Sequence, residues 1–78
     1  MTKTMTIMSM GGFDNFLKIS STLKRRRFTV DRINLESIDQ HHFCLDVTLS
    51  GDDATFNQAI RFMKKNEDVY EIIEKTEE

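Results

Sequence analysis

The chain contains no proline and no tryptophan, a single cysteine and only three glycines in 78 residues. Without proline nothing breaks a helix or strand from within, which suits a chain built mostly of regular elements. One cysteine, Cys44, excludes an internal disulfide and suits a reducing compartment. The glycines at 11, 12 and 51 do not make GxGxxG or GxxxxGK[ST], so no phosphate-cradling loop of either type is present. No apolar run approaches the roughly 20 residues needed to span a membrane. The opening MTKTMTIMSM lacks the continuous apolar core of a signal peptide, so a cytoplasmic protein with no membrane association is expected. Positive charge is not in excess either. Eleven Lys and Arg against 13 Asp and Glu give a net charge of −2, which argues against a nucleic-acid partner.

What is present points to one folded domain, residues 1–78 with a core over about 4–76. Apolar residues make up 38% of the chain and charged residues 31%, a balance typical of soluble globular domains. A chain this short buries only about 60% of its unfolded surface, so its stability is modest and association with another chain would help.

Hydrophobic periodicity orders the elements. Residues 4–10 alternate, with Met5, Ile7 and Ser9 on one face, and read as a strand. Gly11-Gly12 ends it, and Asp14 is expected to cap a helix running to about Arg27. Phe16, Leu17 and Leu23 are expected to share its buried face, and the run Lys24 to Arg27 complements the negative end of the helix dipole. Phe28 to Ser37 reads as a second strand. Its apolar positions switch parity between Val30 and Ile33, which predicts a bulge or a change of face. After a polar connection at 38–41, Phe43, Leu45, Val47 and Leu49 alternate with His42, Cys44, Asp46 and Thr48, as in a sheet covered on one side. A cap-rich turn at 50–53 precedes a helix over about Ala54–Asn66 that buries Phe56, Ala59, Ile60 and Met63. Residues 69–75 make the last strand, with Tyr70 and Ile72 on one face and Val69 and Ile73 on the other. The tail from Thr76 to Glu78 is expected to fray.

The order β-α-β-β-α-β predicts an α+β, ferredoxin-like sandwich: four antiparallel strands with both helices on one face, because the crossovers share a hand. The other face and the edge strands stay open, which favours pairing of two copies through the sheet.

No set of side chains forms a catalytic constellation. His41, His42 and Cys44 are too few and too close in sequence for a tetrahedral zinc site, and solvated histidines at a hairpin end are the simpler reading. Cys44 in mid-strand lacks the donor nest a nucleophile needs, and reads as a structural or interface cysteine. The run Lys24 to Arg27 reads first as a solvated helix end, with Arg25 and Arg26 available to an acidic partner surface. Gly11-Gly12 is first a turn requiring positive φ, and secondly a place where amide protons can hold a small carboxylate.

These residues carry a resemblance to the ACT-domain family, and within it to the small subunits of acetolactate synthase. Lys18 to Val30 resembles the family's first helix entering its second strand, where Arg-Val is followed by Arg-Gly-aromatic-x-aliphatic. Lys18-Ile19 stands for Arg-Val, and Arg26, Phe28 and Val30 match directly. Met63 to Ile72 resembles the pattern Leu-x-Lys-Leu-x-Asp-Val, with Asp68-Val69 the best-matched pair. Where the family has Asn-x-Pro-Gly-x-Leu, this chain has Gly11 to Phe16, with Phe13 and Asp14 at the Pro and Gly positions. Thr29 stands for an Asn after the aromatic, and Arg27 for the Gly before it.

The resemblance implies a non-catalytic subunit, itself without cofactor, that activates a catalytic large subunit holding thiamine diphosphate, flavin and magnesium. The length resembles the short, valine-insensitive type. It also implies an amino-acid site around Gly11, Gly12, Asp14, Asn15 and Thr29 at a homodimer interface. An Asp in that loop would repel a ligand carboxylate and attract an ammonium group. Two other classes remain open: a stand-alone amino-acid sensor, and a small ferredoxin-like enzyme such as an isomerase or acylphosphatase. The latter needs a first-loop Arg that this chain lacks.

Overall fold

The computed structural model describes residues 2–76. Strand β1 (Thr2–Met10) leads into helix α1 (Phe13–Arg25), followed by β2 (Thr29–Ser37), β3 (His42–Ser50), α2 (Asp53–Lys64) and β4 (Val69–Thr76). The four strands form one sheet in the order β2-β3-β1-β4, with every neighbouring pair antiparallel. This is the expected ferredoxin-like arrangement. Of the expected tail, Thr76 closes β4, and Glu77 and Glu78 lie outside the described residues.

Alternation in the central strands decides where the core lies. Met5 and Ile7 on β1 and Phe43, Leu45, Val47 and Leu49 on β3 are buried against Ile19 and Leu23 of α1 and Phe56, Ala59, Ile60 and Met63 of α2. Both helices therefore cover the same face. The parity switch in β2 is a bulge, with the register against β3 shifting between Val30 and Arg32. It keeps Val30, Ile33 and Leu35 on the helix side, opposite Leu49, Val47 and Leu45. A second shift, against β1 between Met8 and Ser9, corrects the reading of β4. Val69 packs on the core with Ile72, while Tyr70 and Ile73 are exposed.

Two features of α1 differ from the periodicity. Its inward face is Asn15, Ile19 and Leu23, with Phe16 half-buried and Leu17 exposed. An amide in the apolar stripe turned the expected face by part of a turn. Its N-cap is Gly12, and no side chain caps it; Asp14 sits in the first turn without that role. Helix α2 does have a side-chain cap. Asp52 accepts the Thr55 amide at 2.8 Å, and that bond holds the Asp52 carboxyl below its ordinary pKa.

Helix α1 ends two residues before the expected Arg27, and the reason is local. Phe28 N–H donates to Leu23 C=O at 3.2 Å and Arg27 N–H to Lys24 C=O at 3.1 Å, the paired bonds of a Schellman turn. That turn needs a left-handed residue, and Arg27 occupies it at φ 62°. A β-carbon is strained there, whereas glycine is not. Arg27→Gly is expected to raise stability by about 0.5–1 kcal/mol in urea unfolding, the relief of strain exceeding glycine's greater unfolded-state entropy. A loss of stability would contradict this.

Candidate functional site

The turn after β1 shapes a small pocket beside the sheet end. Gly11 adopts φ 94°, and its N–H donates to the His41 carbonyl at 2.8 Å, tying the turn to the β2–β3 hairpin. A β-carbon here would meet Asn15 and Asp68 at 3.4 and 3.6 Å besides being strained. Gly12 has open space around it. Between this turn, the start of α1 and the hairpin lies a cavity of about 230 Å³. Phe13, Phe16, Leu35 and Phe43 supply apolar wall, and Asp39 and His42 supply polar groups. The Phe13 and Phe16 rings lie 5.4 Å apart.

Asp39 is the charged member. It accepts the His41 amide at 2.7 Å and bonds His42 Nδ1 at 2.8 and 3.0 Å. The first of these bonds, helped by the second, holds its carboxyl below the ordinary aspartate value. The pocket thus places a stable carboxylate at the rim of an aromatic hollow, next to first-turn amides of α1 that no side chain caps. An apolar group fits the hollow, a cation fits Asp39, and an anion fits the amides.

The five residues assigned to a ligand from the sequence do not converge within one chain. Gly11 and Gly12 line the pocket. Asp14 lies on the other flank of α1, in a groove facing α2, so the acidic group beside the pocket is Asp39. Asn15 is buried at 4% exposure and bonds inward. Thr29 is exposed at the far end of the sheet, opposite Ser50, which itself pairs with Thr2. Arg25 and Arg26 line the groove with Asp14. Pattern reading missed Phe13, Leu35, Asp39 and Phe43 as pocket wall, since only the sheet register brings a hairpin end beside the β1–α1 turn.

Asn15 has a structural position instead. Its Nδ2 donates to Ser9 Oγ at 2.6 Å and to the Met10 carbonyl at 3.3 Å, while its Oδ1 accepts Asn66 Nδ2 at 2.8 Å. Asn66 Oδ1 accepts the Asp68 amide at 2.9 Å, and Met10 N–H donates to Asp68 C=O at 2.8 Å. One side chain therefore ties the end of β1, the start of α1, the end of α2 and the approach to β4. All of them converge just behind the glycine turn.

Elsewhere the chemistry is quiet. Cys44 is half-buried, and burial, then the nearby Asp46 and Glu36 charges, push its thiol up, away from the reactive thiolate. Among the described residues no three His, Cys, Asp or Glu side chains gather as a metal site. Nor is any helix there long and apolar enough to cross a membrane.

A four-stranded antiparallel sheet in β-α-β-β-α-β order with two helices on one face is the ferredoxin-like fold that ACT domains share, and solved structures superpose on it. The ACT domain of a Chlorobium tepidum GTP pyrophosphokinase superposes with a TM-score of 0.83 at 10% identity, covering 99% of this chain and 88% of that one. The small subunit of acetolactate synthase from Thermotoga maritima superposes with a TM-score of 0.84 at 20% identity over 95% of this chain. This chain spans just under half, 47%, of that subunit's length. The C-terminal domain of MgtC from Mycobacterium tuberculosis also matches, with a TM-score of 0.70 at 10% identity, covering 95% of this chain and 84% of that one. No family profile and no curated protein matches the sequence.

Proposed function

We propose that this chain is a non-catalytic regulatory module, the small subunit that activates the thiamine-diphosphate-dependent large subunit of acetolactate synthase in branched-chain amino acid biosynthesis. The observation that carries this reading is the superposition of nearly the whole chain on the small subunit from Thermotoga maritima. The segments Lys18 to Val30 and Met63 to Ile72 resemble that family in sequence as well. Activation is a population effect: a subunit that binds the active conformation of its partner preferentially shifts the equilibrium toward it. Such couplings are worth about 1–3 kcal/mol, so adding the chain is expected to raise the large subunit's turnover at least about fivefold and to co-purify with it. Absence of both binding and activation overturns the reading. Partner and module are assigned to the cytoplasm.

The module acts as a homodimer joined along β2. All nine residues of β2 are exposed, and its outer edge is unpaired within the chain. On its helix side Val30, Ile33 and Leu35 remain 36–39% exposed, with Phe13 at 63% on the flank of α1. An antiparallel partner strand extends the sheet and covers that strip. Centred on Ile33, the pairing sets Thr29 of the partner subunit opposite Ser37, which lines the pocket. Thr29 of the partner subunit thereby joins Gly11 and Gly12 at the pocket, while Asp14 and Asn15 stay outside it.

A second reading rests on that pocket. An amino acid placing its side chain among the Phe13, Phe16, Leu35 and Phe43 walls, its ammonium at Asp39 and its carboxylate at the α1 amides suits a stand-alone sensor. A saturable thermal shift with one amino acid, without activation of any synthase, selects this reading over the first.

A further inference from the structure

The cations of this chain are concentrated rather than spread. Residues 18–27 and 61–65, the C-terminal parts of both helices, hold eight of the 11 Lys and Arg and no acid, although the chain as a whole is acidic. Among the described residues the ion pairs are Lys3–Asp53 and His42–Asp39, so none of these eight is matched. Helix dipoles favour cations at these ends, but they do not account for a groove lined by them.

That groove runs between α1 and α2 on the solvent side, with a volume of about 640 Å³. Lys18, Arg25, Arg26 and Lys65 stand along it, and three acids, Asp14, Glu67 and Asp68, lie within the same lining. Its apolar members are Leu17, 47% exposed, and the ring of Phe62. The Arg26 guanidinium lies 4.3 Å from the centre of that ring and the Lys65 ammonium 5.3 Å. Stacking holds the guanidinium in place while its N–H edge stays available to a carboxylate, so little further entropy is lost on pairing.

We propose that this groove docks an acidic segment of a protein partner, with carboxylates on Arg25, Arg26 and Lys65 and an aliphatic side chain over Leu17. For the partner's identity the proposal rests on the regulatory-subunit reading; the groove's chemistry stands without it. Exposed Leu17 favours a peptide over a nucleic acid, since it offers contact to an aliphatic side chain but nothing to a phosphate, and the carboxylates of Asp14, Glu67 and Asp68 set among the cations suit a segment with a few spaced acids better than a continuous phosphate backbone.

The test is a titration of the intact chain, followed by amide NMR, with a short peptide of glutamate and leucine at low and at physiological salt. Shifts are expected at Leu17, Lys18, Arg26 and Lys65, and affinity falls as salt rises. The double variant Arg25→Glu/Arg26→Glu is expected to weaken binding about 30-fold, since it turns two attractions into repulsions. Lys75→Glu, away from the groove on β4, leaves binding unchanged. No binding, shifts confined to the other sheet face, equal affinity of the double variant, or tighter binding of duplex DNA or inorganic phosphate each overturn the assignment. Peptide binding here with no activation of a synthase keeps the groove and sinks the regulatory-subunit reading.

Discussion

Asn15→Ala is expected to destabilise this chain by about 2–4 kcal/mol, because it strands several buried polar groups at once. The amide is 4% exposed and Ser9, its partner, is fully buried. Removing the amide takes the donor from Ser9 Oγ and from the Met10 carbonyl, and the acceptor from Asn66 Nδ2. Ser9 retains only its own bond to Met10 C=O at 3.0 Å. The largest part of the cost falls on the fully buried Ser9 hydroxyl, since Asn66 is half-buried and lines the open groove between the helices. For a domain of this size total stability is about 4–12 kcal/mol, so the loss is a large fraction of it. Asn15→Asp separates polarity from volume. A carboxylate of nearly the same shape has no donor for Ser9 or Met10, and it is expected to be at least as damaging as alanine. Urea unfolding checks both variants; an alanine variant within about 0.5 kcal/mol of the parent removes Asn15 from this role. A double-mutant cycle with Asn66→Ala reads the coupling directly.

The same residue shows where pattern reading stops. Element order, strand boundaries to within a residue or two, the β2 bulge and the core of β3 and α2 follow from spacing, because each side chain's fate is set by its own alternation. Asn15 defeats that logic: a polar residue in the middle of an apolar stripe is invisible to periodicity, and its partners Ser9 and Asn66 come from other elements. Tyr70 defeats it differently, since the irregularity opposite Met8 and Ser9 changes which β4 residues face inward. Arg27 was more legible than it looked. The pattern that the chain resembles has glycine at this position, and φ 62° supplies the physical reason for one. The pocket was half legible. Gly11 and Gly12 announce a turn next to a helix, but nothing local brings Asp39 and Phe43 to it.

The two sheet faces differ in what the proposed pairing along β2 would cover. Away from the helices, Thr4 and Thr48 share a hydroxyl bond at 2.9 Å and Thr6 donates to Asp46 at 2.7 Å. Polar groups satisfied by one another gain little from being covered. Apolar side chains left 36–39% exposed along an unpaired strand do gain, as do that strand's free amides and carbonyls.

Ile33→Lys is therefore expected to split the proposed dimer. Ile33 sits opposite Val47 at the middle of β2, on the helix side, where antiparallel self-pairing puts the two copies of the residue closest. In a two-fold interface one substitution acts twice: two apolar contacts are lost and two like charges face each other. Forfeiting the burial of the part of two isoleucine side chains still exposed in the monomer costs about 1–2 kcal/mol, and the facing charges add to it, so the dimer is expected to weaken by at least about 10-fold. The monomer tolerates the change, because a lysine at a position already 38% exposed extends its ammonium into water. Sedimentation velocity across a concentration series, with circular dichroism to confirm folding, measures this. Ile73→Lys, at a 42% exposed position opposite Thr6 on the other face, serves as the counter-probe and is expected to leave the dimer intact. Dissociation by Ile73→Lys but not by Ile33→Lys would move the interface from the β2 edge to the bare face. The partner's Thr29 would then no longer stand beside the glycine-turn pocket, and the two-chain amino-acid site would fall with the edge pairing.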